Sequence, residues 1–78
     1  MVSTTNEIPT PEALADLKKR VKRLNSKAGQ MKMDLHDIAE GLPSDLEKLP
    51  AAAAETYEIF QELARLKKQV KEWEKLLQ

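Results

Sequence analysis

The chain has 78 residues, a third of them charged, with thirteen basic and thirteen acidic side chains, no cysteine and three aromatic residues. That length allows one domain at most, and the absence of cysteine excludes disulfides and thiolate metal sites. No apolar run approaches the ~18 residues of a membrane span and no basic-then-apolar leader opens the chain, so the cytoplasm is the expected compartment.

Met1 to Pro9 is polar, with Ser3, Thr4, Thr5 and Asn6 in a row, and reads as a flexible tail over 1–9. The remainder, 10–78, reads as an all-α helical hairpin. Thr10-Pro11-Glu12 is a helix start: Thr10 can cap, Pro11 needs no N–H there, and Glu12 faces the positive end of the dipole. From there the apolar residues run Leu14, Leu17, Val21, Leu24, Ala28, Met31, Leu35, Ile38, Leu42, spaced alternately three and four apart. That is a heptad seam, built to lie along another helix. The first helix is expected over about 11–40, with Gly41 in the left-handed stop conformation and Pro43 blocking a restart. Gly29 sits mid-helix beside Ala28, where it is either a tolerated weak spot of ~1 kcal/mol or a notch for another helix.

Residues 41–49 form the connection, with Ser44 and Glu47 at capping-box spacing. The second helix is expected over about 50–77, with Pro50 in its first turn and the strong helix formers Ala51 to Ala54 behind it. Its seam reads Leu49, Ala52, Thr56, Ile59, Leu63, Leu66, Val70, Trp73, Leu77, with the same alternation and Thr56 as its polar member. Two seams of equal length and a short connection predict antiparallel helices. Pairing Ile38 with Leu49, Ala28 with Ile59 and Leu14 with Trp73 satisfies the whole hairpin, although registers displaced by about three residues also serve.

Two helices cover one stripe each. Phe60, Leu76, Tyr57, Ala53, Ala39 and Met33 lie off the seams and widen the apolar surface. At roughly 25 cal/mol per Å2, that surface favours a homodimer of hairpins, a four-helix arrangement with two-fold symmetry.

Charge is sorted along the hairpin. Residues 11–32 hold seven basic and two acidic side chains, residues 33–62 hold one basic and eight acidic, and residues 63–78 hold five basic and two acidic. The loop end is therefore acidic and the end with the termini basic. The basic end could bind phosphate backbones, but no aromatic is interleaved for base stacking, so nucleic acid is a weak expectation.

His36, the one imidazole, lies outside the seam. Glu40 is one turn on and Asp37 adjacent, and a His/Glu pair at i, i+4 can aim two ligand atoms at one spot. One chain then supplies too few ligands. Two chains about a two-fold axis through His36 would supply two imidazoles and carboxylates from Glu40 and Asp37, a set suited to nickel, zinc or cobalt. The bland reading is a surface histidine among acids. No nucleophile, glycine-rich loop or pocket accompanies it, so no enzymatic activity is expected.

The block Leu24-Asn25-Ser26-Lys27-Ala28-Gly29-Gln30-Met31-Lys32-Met33-Asp34-Leu35-His36-Asp37, followed by Ala39-Glu40-Gly41-Leu42-Pro43, resembles a family of small Rop-like proteins of unknown function. These are encoded beside nitrogen-fixation genes in cyanobacteria and other diazotrophs. The resemblance implies an antiparallel hairpin, a dimer, and a divalent metal, nickel above all, held by the histidine from each chain, here His36. The resemblance leaves the biological purpose open, and the first expectation is an accessory role in nitrogen fixation, in metal handling or in scaffolding nitrogenase assembly with a protein partner. Two alternatives stay open: an interaction module in which metal is incidental, and RNA or DNA binding by the basic end.

The charge sorting and the metal make opposite demands. Acidic end on basic end places the two-fold axis near residues 27–28 and the two His36 roughly 25 Å apart at 1.5 Å rise per residue. A shared metal needs the axis near His36, with only the loop-side halves overlapping and acid against acid, a repulsion that salt screens; the resemblance makes this second geometry the expected one.

Overall fold

The structure, a computed structural model, describes residues 9–78 and contains two long helices joined by a short connection. The expected tail lies, up to residue 8, outside the described residues. Helix α1 spans Pro11–Gly41 and helix α2 spans Leu49–Leu76, with a single 3-10 turn at Leu46–Lys48 between them. They lie side by side in a slab of 51 × 24 × 15 Å, the length of one helix and the width of two.

The start of α1 follows the expected chemistry. Thr10 is extended (φ −90°, ψ 159°), and its Oγ1 accepts from the Ala13 N–H at 3.0 Å. That bond satisfies one of the orphan donors of the first turn. Pro50 likewise occupies the first turn of α2.

The connection differs from expectation in two ways. Gly41 is the last residue of α1 and does not take a positive φ; the left-handed residue is Asp45, at φ 58°. An aspartate tolerates that region better than most side chains. Nor does a capping box form: the cap of the 3-10 turn is Asp45, with no side-chain cap bond, so Ser44 and Glu47 do not act as a pair. Main-chain bonds close the turn instead. Ser44 N–H donates to Gly41 O at 2.9 Å and Lys48 N–H to Asp45 O at 2.9 Å. The Leu42–Pro43 peptide is cis. Helix α1 runs one residue longer than the spacing predicts, and α2 both starts and ends one residue earlier.

Every seam residue except Leu42 is buried or half-buried. Ala28 is wholly buried, and with Ile59 and Leu63 forms the centre of the core, flanked by Val21, Leu24 and Met31. A residue with only a methyl group at the centre lets the two backbones approach closely. Thr56 is accommodated within its own helix, where its hydroxyl donates to Ala52 O at 2.7 Å. No polar atom is therefore stranded in the seam.

Counting Leu14 and Leu49 as the first heptad position, a, makes Leu17 and Ala52 the other inward position, d. Positions e and b then flank one side of the seam and g and c the other. In an antiparallel pair e meets e and g meets g. The slab has two broad faces accordingly. On the first, Lys18 and Glu74, both at e, bridge the helices at 3.0 Å. On the second, Arg20, Lys27, Glu55 and Glu62, all at g, border the shallow grooves beside the seam.

Candidate functional site

Helix α1 presents His36 and Glu40 one turn apart on its exposed side. His36 Nε2 lies 3.2 Å from Glu40 Oε2, with the two side chains 66% and 70% exposed. The i, i+4 spacing of a regular helix alone brings them together. Asp37 takes no part in that pair. It borders, with His36, Met33 and Lys32, an open surface depression of about 330 Å3 on the same helix. Among the described residues no three histidine, aspartate or glutamate side chains converge as metal ligands. One chain thus offers a nitrogen and an oxygen donor in contact and a second carboxylate beside them.

Position b places His36 on the first broad face, beside Gly29 (b), Lys32 and Ala39 (both e). Across the seam, α2 contributes Pro50, Ala53, Tyr57, Phe60 and Ala64 to that face, at alternating b and e positions. All five are exposed, Tyr57 by 66% and Phe60 by 37%. The off-seam apolar residues were legible in the sequence, but their sharing a face with His36 was not, because it depends on which flanks meet across the hairpin.

The second broad face is charged. Arg65 grips Glu62 with two bonds, Nε to Oε1 at 3.1 Å and Nη2 to Oε2 at 2.6 Å. The hydrogen bond from Arg65 holds the Glu62 carboxyl below its ordinary range, with the charges of Arg65 and Arg20 acting in the same direction. Arg20, Arg23 and Lys27 line a groove of about 420 Å3, but Glu62 borders it too. That carboxylate interrupts the basic surface a phosphate backbone would follow, which weighs against nucleic acid at this end.

No helix among the described residues is long and apolar enough to cross a membrane. Comparison with known proteins matches the Rop-like family profile over residues 12–75. A UPF0437 protein of Trichormus variabilis is 59% identical over 64 residues, covering 82% of this chain and 74% of that protein. A UPF0437 protein of Frankia alni, described as lying in the nifX-nifW intergenic region, is 44% identical over 52 residues, 67% of this chain and 63% of that one. A crystal structure from the DUF683 family, from the cyanobacterium Cyanothece 51142, superposes with a TM-score of 0.83 at 68% identity, covering 91% of this chain and 99% of that chain. The seams, the hairpin and the block around His36 thus belong together: this chain is a member of the Rop-like UPF0437 family, a group of helical proteins of unknown function with one relative encoded among nif genes.

Proposed function

We propose that this protein is a non-enzymatic accessory of nitrogen fixation that works in the cytoplasm as a homodimer and holds a divalent cation between its two copies. The observation that carries the reading is the exposed contact of His36 Nε2 with Glu40 Oε2. An imidazole nitrogen and a carboxylate oxygen form a donor set suited to borderline first-row ions, nickel first, with zinc and cobalt behind it. Two donors leave a cation's shell open, and a second copy about a two-fold axis repeats the pair, with Asp37 the next carboxylate at hand. The cation would supply positive charge where the acidic loop halves of two copies meet. The nif-region relative of Frankia alni supports the biological setting.

A second reading is favoured by the exposed Met33, Tyr57 and Phe60. In it the hairpin is a docking module for a nitrogenase-assembly protein, and metal binding is incidental.

Calorimetric titration of nickel and zinc into untagged protein, beside His36→Ala, separates the two. One metal per two chains, lost in the variant, is the expected outcome. Binding no tighter than millimolar would return His36 to an ordinary surface residue and leave the docking module standing.

A further inference from the structure

We propose that the hollow between the two helices, at the terminal end of the first broad face, docks an acidic segment of a protein partner that carries a bulky apolar side chain between its carboxylates. The inference goes beyond the shared-cation reading and requires no metal.

The hollow originates in the sequence. Val21 and Val70 are both at position a, and the seam positions next to them hold larger residues: Leu17, Leu24, Leu66 and Trp73. Two short side chains leave a dip there, and both stay half-buried. The depression measures about 290 Å3, with Lys18, Lys67, Lys71 and Glu74 around the two valines. Lysine stems extend the apolar wall while their ammonium groups stay in water. Room for one large apolar side chain is thus ringed by positive charge.

The ring is more basic than the hairpin needs. By heptad position Lys22 joins Lys18, Lys67 and Lys71 on this part of the face, with Glu74 as the acid among them. Lys18 and Lys22 stand one turn apart on α1, and Lys67 and Lys71 one turn apart on α2. Like charges at that spacing weaken a helix. Lys18 is relieved by Glu74, whose carboxylate reaches its Nζ across the seam at 3.0 Å. Lys22, Lys67 and Lys71 take part in none of the ion pairs among the described residues. The bridge sets one carboxylate of the chain itself at the edge of the hollow, and carboxylates of a partner would meet the remaining lysines on both banks. Such complementarity fixes register and speeds encounter.

The apolar floor selects among anions. A phosphate backbone would ride on the lysines and leave Val21 and Val70 wet, and none of the lining residues is aromatic, so a base has nothing to stack on. A peptide with a leucine or phenylalanine between acids fills floor and rim together.

The hollow also stays open in a dimer built on a shared cation. With the axis at His36, the loop of the other copy, centred seven to eight residues from His36, reaches the level of residues 28–29 of α1. Val21 lies roughly 10 Å beyond, at 1.5 Å per residue. Such a dimer is a rod with one docking hollow near each end.

The test is a fluorescence-anisotropy titration of the full chain, in chelator, into a short labelled peptide of glutamates and aspartates with two leucines at its centre. Without cation, the outcome is independent of the shared-cation reading. The peptide should bind, and amide shifts in the NMR spectrum should cluster around Val21 and Val70. The double variant Lys67→Glu, Lys71→Glu should weaken binding by about tenfold or more. Lys68→Glu with Lys75→Glu, the same change of charge on the outer side of α2, should stay within about threefold of wild type. Circular dichroism checks that the helices persist, as they should for exposed positions. Replacing the central leucines by serine should cost about tenfold. Equal losses in the two double variants, or equal binding of the serine peptide, would reduce the hollow to general charge attraction and overturn the proposal. Oligouridylate bound as tightly as the peptide through Lys67 and Lys71 would overturn it in favour of a phosphate backbone. Peptide binding no tighter than millimolar would overturn it outright.

Discussion

The two broad faces of the hairpin share one seam and differ in what stands beside it. On the face with Arg20, Lys27, Glu55 and Glu62, charges line the grooves, and Arg65 grips Glu62 with two bonds. On the other face the Lys18–Glu74 bridge near the termini gives way toward the loop to Phe60, Tyr57, Ala53 and Ala39, all exposed. The seam decides that two helices pair. The flanks decide which side of the pair is finished and which is open to a further surface.

The largest expected effect tests the part the faces share. Leu63 is 3% exposed, so Leu63→Ala should cost ~2–5 kcal/mol in urea unfolding. Leu24→Ala, at a half-buried seam position, should cost less; equal losses would mean that the seam is more deeply covered in solution than one chain covers it. Gly29→Ala comes next and sharpens the contrast between faces. It should stabilise the hairpin by up to ~1 kcal/mol through helix propensity alone, because the new methyl group meets nothing in this chain. A loss of stability at high protein concentration only would show that the position is occupied by a partner. Thr10→Ala should cost ~1 kcal/mol and act equally on both faces, measured by thermal melting.

Smaller still is the charged face's response to acid. Glu62 has a lowered pKa in the folded chain, so its stabilising effect is present above the ordinary glutamate value of 4.5 and is lost as the pH falls through the lowered value. Arg65→Gln should therefore destabilise slightly near neutrality, and its difference from wild type should vanish in stronger acid; a difference that persists there would point to lost packing of the Arg65 stem. The least effect is expected from His36→Ala, which should leave unfolding in chelator unchanged. A large loss would make His36 part of the fold and contradict its 66% exposure.

Most of the fold was legible because heptad spacing is a local signal that the packed structure must honour. Leu14 to Ile38 and Leu49 to Leu77 all lie against the seam as the spacing predicts. The turn was harder. Glycine is the usual left-handed stop, yet Asp45 takes that conformation while Gly41 stays helical. The path of a short connection is set by where two rigid helices must meet, and the preferences of single loop residues yield to it. The candidate site divides the same way. The His36–Glu40 contact is a property of one helix and could be read from their spacing. The partnership of Lys18 with Glu74, and of His36 with the Tyr57 face, is a property of two helices in register.

Sorted charge on a rod 51 Å long also has a consequence for speed. With an acidic loop end and basic termini, the molecule is an electric dipole aligned with its long axis. Such a rod rotates before it touches, so encounters with another charged body begin end-selected, and a second copy arrives already antiparallel. The benefit fades once the screening length, about 8 Å at physiological salt, falls well below the length of the rod. Association should therefore slow with added salt much more than dissociation quickens.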